Sequence, residues 1–165
     1  MLQPDVYWLR EVEGVRLAIM PRPRSGVWLA DEIAGWARLG VQTVVSLLEP
    51  REVRDLDLAG EESLCLAANL KFVSFPIPDR GVPSNLVEFA KLVAKIEQRL
   101  RSGESVAVHC RAGIGRSGLL GACILDAFGV DSNLAFGMLS RARGVTVPDT
   151  DAQIAWVREY TRARA

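Results

Sequence analysis

Few residues of this chain can build a metal centre or a disulfide framework. The 165 residues include one histidine, His109, three cysteines, Cys65, Cys110 and Cys123, and no Cys-x-x-Cys pair. An odd number of cysteines without that spacing argues against both a zinc site and a set of structural disulfides. We therefore expect no metal and no cofactor, and thiols that stay free in a reducing compartment.

The chain also lacks net charge, because its 20 basic and 20 acidic side chains cancel. Such a chain has no long-range field to attract nucleic acid or an anionic membrane, so any anion must be recognised locally. The longest apolar run, Leu119 to Val130, is interrupted by Asp126 and is too short to span a bilayer. No secretory leader is visible. We expect a cytoplasmic protein with no nucleic-acid partner and no membrane insertion.

Short β-like runs alternate with helical runs, which is the pattern of an α/β domain. The length fits one domain spanning residues 1–165. We predict a central, mostly parallel sheet of four to five strands flanked by helices. The predicted strands are Val6–Trp8, Val15–Met20, Gln42–Leu48, Lys71–Ile77 and Ser105–His109. The predicted helices are Val27–Leu39, Glu61–Asn69, Leu86–Arg101, Ser117–Phe128, Ser132–Arg143 and Thr150–Arg162.

Cys110 and the loop that follows it form the most informative segment. Cys110 ends a predicted strand, and residues 111–117 then lead into an apolar helix. Gly113 and Gly115 are expected to adopt left-handed backbone conformations, which let consecutive N–H groups converge on one point. A helix beginning near Ser117 adds its free N–H groups and the positive end of its dipole. A thiol in such a place ionises more easily than a free cysteine.

This loop predicts a site for oxyanions such as phosphate, sulfate or vanadate. The Arg116 guanidinium adds a planar fork that can bind two phosphate oxygens at once. The expected phosphate-binding residues are Arg111, Ala112, Gly113, Ile114, Gly115 and Arg116.

Three motifs resemble those of one enzyme superfamily. The run Cys110-x5-Arg116-Ser117, with His109 before it, resembles the signature loop of the cysteine-dependent protein tyrosine phosphatases. Upstream, Pro76-Ile77-Pro78-Asp79 resembles the general-acid loop of the small dual-specificity phosphatases. Downstream, Thr150-x-x-Gln153-x-x-Trp156 resembles the segment in which these enzymes place a water-positioning glutamine. No counterpart of the phosphotyrosine-recognition loop of the large tyrosine phosphatases is present, so we expect a shallow pocket.

The resemblance implies a metal-independent phosphate monoester hydrolase. Cys110 is expected to attack phosphorus and form a phosphocysteine, while Arg116 binds the equatorial oxygens. Asp79 is expected to protonate the leaving group and then to take a proton from water. Ser117 would hydrogen-bond the thiolate, and Gln153 would orient the water.

Each supporting residue also has a simpler interpretation. Asp79 lies in a Pro-Asp-x-Gly sequence, which is ordinary turn chemistry. Ser117 could be a helix N-cap. Gln153 could be the N3 partner of a capping box with Thr150. The arginines near the loop could line the pocket or be solvated surface charge; they are Arg80, Arg111, Arg141 and Arg143.

His109 argues against a cysteine protease or acyltransferase of the Cys-His type. Side chains alternate along a strand, so the imidazole should point to the face opposite Cys110 and cannot act as its base. The resemblance implies instead that His109 braces the backbone of the loop.

The sequence leaves the substrate open. We expect a phosphorylated protein or peptide, carrying phosphotyrosine and also phosphoserine or phosphothreonine. A non-protein substrate such as a phosphoinositide is an alternative that Arg111 favours and Ile114 does not. Sulfur transfer and arsenate reduction also use cysteine loops, but they do not need Asp79. A non-catalytic phosphopeptide-binding module is the last alternative, although such modules typically lack the cysteine, the arginine or the acid.

Overall fold

The computed structural model describes residues 3–165, which contain five strands and seven α-helices. The strands are β1 (Tyr7–Trp8), β2 (Leu17–Met20), β3 (Thr43–Ser46), β4 (Lys71–Ser74) and β5 (Val106–His109). The helices are α1 (Leu29–Arg38), α2 (Pro50–Asp55), α3 (Glu61–Ala67), α4 (Leu86–Arg101), α5 (Gly115–Ala127), α6 (Ser132–Arg143) and α7 (Asp151–Arg164). A 3-10 turn, Gly26–Trp28, precedes α1.

The strands form one sheet in the order β1-β2-β5-β3-β4. Only β1 is antiparallel to its neighbour, and it lies at an edge. Met20 of β2 and Ser46 of β3 both lie opposite His109 at the end of β5. The carboxyl ends of the central strands therefore meet at one edge, where open α/β sheets bind their ligands. The predicted α/β fold class with a mostly parallel sheet is confirmed.

Alternate residues of the central strands face two separate cores. Leu17 and Ile19 of β2 pack with α4, α5, α6 and α7, whereas Ala18 and Met20 pack with α1 and α3. All four residues of β2 are buried, as expected for parallel strands covered by helices on both faces. Helices therefore cover both faces of the sheet at β5. Cys110 directly follows this strand.

Most helices lie where their sequence signals place them. Helix α4 has the predicted bounds: the Asn85 side chain accepts a hydrogen bond from the Glu88 N–H at its start, and Gly103 follows its end with φ = 89°. Helix α6 also has the predicted bounds and ends at Gly144, which is left-handed at φ = 84°. None of the helices in residues 3–165 is long and apolar enough to cross a membrane.

The structure differs from the predictions in several places. Each strand is one to three residues shorter than predicted, although flanking residues such as Phe75 and Ile77 still form backbone hydrogen bonds to β3 and the segment after it. The predicted helix over Val27–Leu39 is divided into the 3-10 turn and α1. Helix α2 was not predicted, because its six residues are too few to show a helical period.

Candidate active site

Cys110 lies at the bottom of a pocket of about 200 Å³ at the carboxyl edge of the sheet. It directly follows β5 and is 3% exposed. The chain then turns through residues 111–114 and enters α5 at Gly115. The pocket is lined by Asp79, Arg80, Cys110, Arg111, Ala112, Ile114, Gly115, Arg116 and Asp149.

The two glycines of the loop serve different purposes. Gly113 is left-handed, with φ = 73°, and a Cβ there would lie 2.5 Å from the carbonyl carbon of Met20. Gly115 does not have a positive φ, so the predicted left-handed conformation is wrong for this residue. A Cβ at Gly115 would instead lie 3.0 Å from the Cβ of Asp149 and from Oε1 of Gln153. Gly113 therefore allows the bend of the loop, and Gly115 allows close packing beside it.

Helix α5 begins two residues earlier than predicted. Its first intrahelical hydrogen bond runs from the Gly118 N–H to the Ile114 carbonyl (3.0 Å), so the N–H groups of residues 115–117 have no intrahelical partner. The N–H groups of residues 111–114 also donate to no other group in the described part of the chain. This end of α5 thus provides free donors and a positive dipole end beside the sulfur. Ser117 is the third residue of the helix, so its N-cap interpretation is wrong.

Arg116 is a buried cation held by several acceptors. Its Nη1 and Nη2 donate to Oε2 and Oε1 of Glu52 at 2.7 and 2.9 Å. Nη1 also donates to the Ile77 carbonyl (2.9 Å), and Nη2 to Oδ1 of Asp79 (3.0 Å). Burial alone would lower the pKa of Arg116, but the Glu52 hydrogen bonds and attraction to Cys110, Glu52 and Asp79 outweigh it and raise the pKa. Arg116 is therefore a permanent positive charge in the pocket.

Glu52 holds Arg116 in place and was not predicted from the sequence. It lies on the short helix α2, and its side chain also accepts a hydrogen bond from the Glu49 N–H (2.9 Å). Burial tends to raise the pKa of Glu52, yet the hydrogen bonds from Arg116 and Glu49 lower it overall. The signal in the sequence was the capping-box spacing of Glu49 and Glu52 around Pro50, which marks a helix start.

Asp79 lies in the same pocket, on the turn that follows β4. The Gly81 N–H donates to the Pro78 carbonyl at 2.8 Å, so Asp79 is both a turn residue and a pocket residue. Its Oδ1 is 3.0 Å from Nη2 of Arg116, and its Oδ2 is 3.8 Å from Nη1 of Arg111. The side chain is 46% exposed, so it lies at the mouth of the pocket, above the buried arginine.

His109 lies behind the loop, on the opposite face of the sheet from Cys110. Its ring packs 6.0 Å from the ring of Trp36, and its Nε2 contacts Oε1 of the buried Glu61. Its Nδ1 is 3.1 Å from the carbonyl oxygen of Cys110, which can only accept a hydrogen bond. The ring thus contacts the backbone of the loop and not the sulfur. Glu61, at the start of α3, was not singled out from the sequence because its partner is 48 residues away.

Ser117 and Gln153 differ in their hydrogen bonds. The Ser117 hydroxyl is buried and has no hydrogen-bond partner, the sulfur included, among residues 3–165. The Gln153 N–H donates to the Thr150 hydroxyl (3.1 Å), and Gln153 Oε1 accepts from the Thr150 N–H (3.1 Å), so the capping-box interpretation is confirmed. Gln153 is fully buried next to Gly115, and its Nε2 donates to the Gly81 carbonyl at 3.1 Å.

Two of the four candidate arginines line the pocket, Arg80 and Arg111. Arg141 forms an ion pair elsewhere. Arg143 supports the loop from outside, because its Nη2 donates to the Ala112 carbonyl at 3.0 Å. The mouth of the pocket therefore carries two exposed guanidinium groups.

The other two cysteines, Cys65 and Cys123, are fully buried in the two cores. Burial raises the pKa of Cys65 to about 12 and that of Cys123 well above its ordinary value. These thiols are therefore unreactive in the folded chain.

Fold and site together define a class. The architecture of the cysteine-based phosphatases has three parts. They are a cysteine after the central parallel strand, an arginine six residues later in the next helix, and a neighbouring loop that carries a carboxylic acid. Residues 7–164 match the family model described as PTP-SAK, Swiss Army Knife protein, DSP-PTPase phosphatase domain, and the chain belongs to this family of dual-specificity phosphatase-type domains. The resemblance seen in the motifs is confirmed.

Curated relatives carry similar names. The chain is 34% identical over 145 residues to the putative tyrosine phosphatase 197R of Invertebrate iridescent virus 6, covering 81% of this chain and 52% of that protein. It is 31% identical over 134 residues to the protein tyrosine phosphatase domain-containing protein 1 of Mus musculus, covering 74% of this chain and 17% of that protein. The chain thus spans about half or less of the length of these relatives.

Solved structures share the fold over nearly the whole chain. A kinase-associated phosphatase whose catalytic-site cysteine is replaced by serine has a TM-score of 0.89 at 17% identity, covering 99% of this chain and 97% of that one. The active form of Tk-PTP has a TM-score of 0.79 at 26% identity, covering 98% and 99%. PTPMT1 has a TM-score of 0.75 at 18% identity, covering 96% and 95%.

Proposed function

We propose that the chain is a metal-independent phosphate monoester hydrolase that acts on phosphorylated proteins through a phosphocysteine intermediate. One observation carries the proposal: Cys110 and Arg116 of one strand-loop-helix unit and Asp79 of a distant turn line one pocket of about 200 Å³. Within a chain of this family, they supply a nucleophile, a fixed positive charge and an acid.

In the first step, the Cys110 thiolate attacks phosphorus, forming an S–P bond while the P–O bond to the leaving group breaks. The Asp79 carboxyl gives its proton to the departing oxygen. The Arg116 fork and the free N–H groups of the loop bind the three remaining phosphoryl oxygens. The phosphoryl group binds beside Arg116, where the Asp79 carboxylate lies in the free protein.

In the second step, water attacks the phosphocysteine. The Asp79 carboxylate takes a proton from that water, the S–P bond breaks, and inorganic phosphate and the thiolate are released. The Ser117 hydroxyl is buried and has no hydrogen-bond partner among residues 3–165, which supports a role in hydrogen-bonding the sulfur as it departs. Gln153 uses Oε1 and one N–H of its Nε2 in structural hydrogen bonds, which leaves the second Nε2 N–H to orient the water.

The substrate we propose is phosphotyrosine in a protein, together with phosphoserine or phosphothreonine. The names of the curated relatives support tyrosine phosphatase activity. A small soluble phosphate or a phosphoinositide is the second candidate, because Arg80 and Arg111 place two guanidinium groups at the mouth. One structural neighbour, PTPMT1, has been crystallised in complex with PI(5)P. The three free cysteines support placing the protein in a reducing compartment, the cytoplasm.

Hydrolysis of 4-nitrophenyl phosphate in the presence of a chelator tests the proposal. We expect turnover without metal for the wild type, none for Cys110→Ser, and binding of vanadate by both. Asp79→Asn should lose rate chiefly with substrates whose leaving groups are poor. Turnover by the serine variant would exclude the assigned nucleophile. A parallel screen of phosphopeptides and phosphoinositides then separates the two substrate classes.

A further inference from the structure

The turn that carries Asp79 contains a strained residue. Arg80, the third residue of the turn from Pro78 to Gly81, has φ = 58°. This left-handed conformation is unfavourable for a residue with a Cβ, and glycine is the usual choice at this turn position. A strained backbone in a pocket points to a function for the side chain that is kept there.

The Arg80 side chain crosses the mouth of the pocket. Its Nη1 donates to Oδ2 of Asp149 at 2.9 Å, although the two residues are 69 positions apart in the chain. Asp149 also lines the pocket, in the segment just before α7. The ion pair therefore joins the turn of the general acid to a different part of the rim.

A second connection runs in parallel with this ion pair. The buried Gln153 side chain donates from Nε2 to the Gly81 carbonyl (3.1 Å) and accepts at Oε1 from the Asp149 N–H (3.1 Å). Both residues that follow Asp79 are thus fixed to the region around the start of α7, Arg80 by its side chain and Gly81 by its carbonyl. Among residues 3–165, the Asp79 carboxylate forms its ion pairs with the guanidinium groups of Arg116 and Arg111.

We propose that Arg80 and Asp149 are positioning residues, which hold the turn so that the Asp79 carboxyl faces the leaving-group oxygen. This inference rests on the proposed function, since it assigns two residues to the proton transfer by Asp79. Without the ion pair, Gln153 still connects the turn to the start of α7, but attraction to Arg116 and Arg111 governs where the carboxyl lies. Exposed ion pairs contribute little to folding, so the pair should affect proton transfer and not stability.

Two variants remove the ion pair from opposite ends. Arg80→Gly keeps the turn, because glycine adopts the left-handed conformation without strain, and Asp149→Ala removes the carboxylate. We expect kcat/KM for phenyl phosphate, whose leaving group needs a proton, to fall about tenfold to a hundredfold in each variant, because kcat/KM reports the steps up to release of the leaving group. For 2,4-dinitrophenyl phosphate, whose leaving group needs no proton, kcat/KM should fall much less.

The double variant and a remote control sharpen the test. Because both residues act through one ion pair, Arg80→Gly with Asp149→Ala should be no slower than the slower single variant. Arg162→Ala, which removes a more exposed ion pair with Glu159 at the other end of α7, should match the wild type for both substrates. Equal losses of kcat/KM for both substrates would show that Arg80 binds the phosphate and would overturn the positioning role.

Failure of the positioning role can be told apart from failure of the proposed function. A wild type that hydrolyses no phosphate monoester would contradict the function. A wild type that hydrolyses both substrates, with variants that match it, would contradict only the positioning role. Amide hydrogen exchange at Gly81 needs no turnover: we expect it to be faster in Asp149→Ala than in the wild type, and an unchanged rate means that the ion pair does not hold the turn.

Discussion

The two carboxylate oxygens of Glu52 accept hydrogen bonds from the two terminal nitrogens of Arg116, at 2.7 and 2.9 Å. Both side chains are buried, and the two residues are 64 positions apart in the chain. The pair fixes the plane of the guanidinium, whose Nη2 also donates to Asp79 at the mouth of the pocket. Glu52 orients Arg116 and therefore belongs to the site together with it.

We predict that Glu52→Gln destabilises the protein by about 3 kcal/mol, because removing one partner of a buried ion pair leaves the other charge uncompensated. The rate should also fall, since Arg116 is no longer fixed beside the phosphoryl oxygens. Urea unfolding and kcat/KM for 4-nitrophenyl phosphate measure the two effects. Glu159→Gln removes an exposed partner of Arg162 and should change neither quantity. Full stability in Glu52→Gln would contradict the structural importance of this pair.

The same residue predicts how stability depends on pH. Burial tends to raise the pKa of Glu52, but the hydrogen bonds from Arg116 and Glu49 and the attraction to Arg116 and Arg111 together outweigh it, so the pKa is lower in the folded protein than its ordinary value. A carboxyl whose pKa is lowered by folding stabilises the folded protein at pH values above the unfolded-state pKa of about 4.3. This stabilisation is lost as the pH falls through the folded-state pKa. The stability difference between wild type and Glu52→Gln should therefore shrink on acidification below about pH 4. A difference that is the same at neutral and acidic pH would disagree with this linkage.

Gly113 provides a test of the loop backbone. Alanine there combines a positive φ of 73° with a Cβ only 2.5 Å from the carbonyl carbon of Met20, so the loop must move. Gly129→Ala is a matched control, because Gly129 has φ = 82° but has open space around its Cβ position. We expect the control to lose about 1 kcal/mol from backbone strain alone. Gly113→Ala should lose clearly more and should no longer bind vanadate, as measured by thermal unfolding with and without that anion.

The local part of the site could be predicted from the sequence. Cys110, the loop and Arg116 lie within one strand-loop-helix unit, so residue order alone brings them together. Helix α4 was predicted with its bounds because it has an apolar stripe, an Asn85 cap and a terminating Gly103. These features depend on neighbours in the chain, which a sequence shows directly.

The partners of the site could not be predicted in the same way. Glu52 and Glu61 lie on helices of six and seven residues, which are too short to show a periodic stripe. A charged residue is also expected at the surface, and its burial depends on a partner that is 48 or 64 residues away. Arg80 and Asp149 are likewise far apart in the chain, at 69 positions. Such contacts arise from the tertiary fold, not from local order.

Thiol reactivity should single out Cys110. It lines the open pocket beside Arg116, whereas burial raises the pKa of Cys65 to about 12 and of Cys123 well above its ordinary value. We predict that iodoacetamide at pH 7 alkylates one cysteine of the folded protein, that peptide mapping places it at Cys110, and that phosphate slows the reaction. Cys110→Ser should react only after unfolding in urea. Rapid alkylation of Cys65 or Cys123 in the folded protein would contradict the burial of these thiols.

Ser117 should show opposite effects on stability and on activity. Its hydroxyl is buried without a hydrogen-bond partner, which costs free energy, so Ser117→Ala should be more stable by about 1 kcal/mol. If the hydroxyl stabilises the departing thiolate, the same variant should hydrolyse its phosphocysteine more slowly, and phosphoenzyme should accumulate after a burst of 4-nitrophenol. Thr43→Val is the matched control, since Thr43, on β3, also has a buried hydroxyl without a hydrogen-bond partner among residues 3–165. It should gain stability in the same way and keep its steady-state rate. A Ser117→Ala variant with neither a burst nor a slower steady state would remove Ser117 from the second step and leave its buried hydroxyl without a catalytic reason.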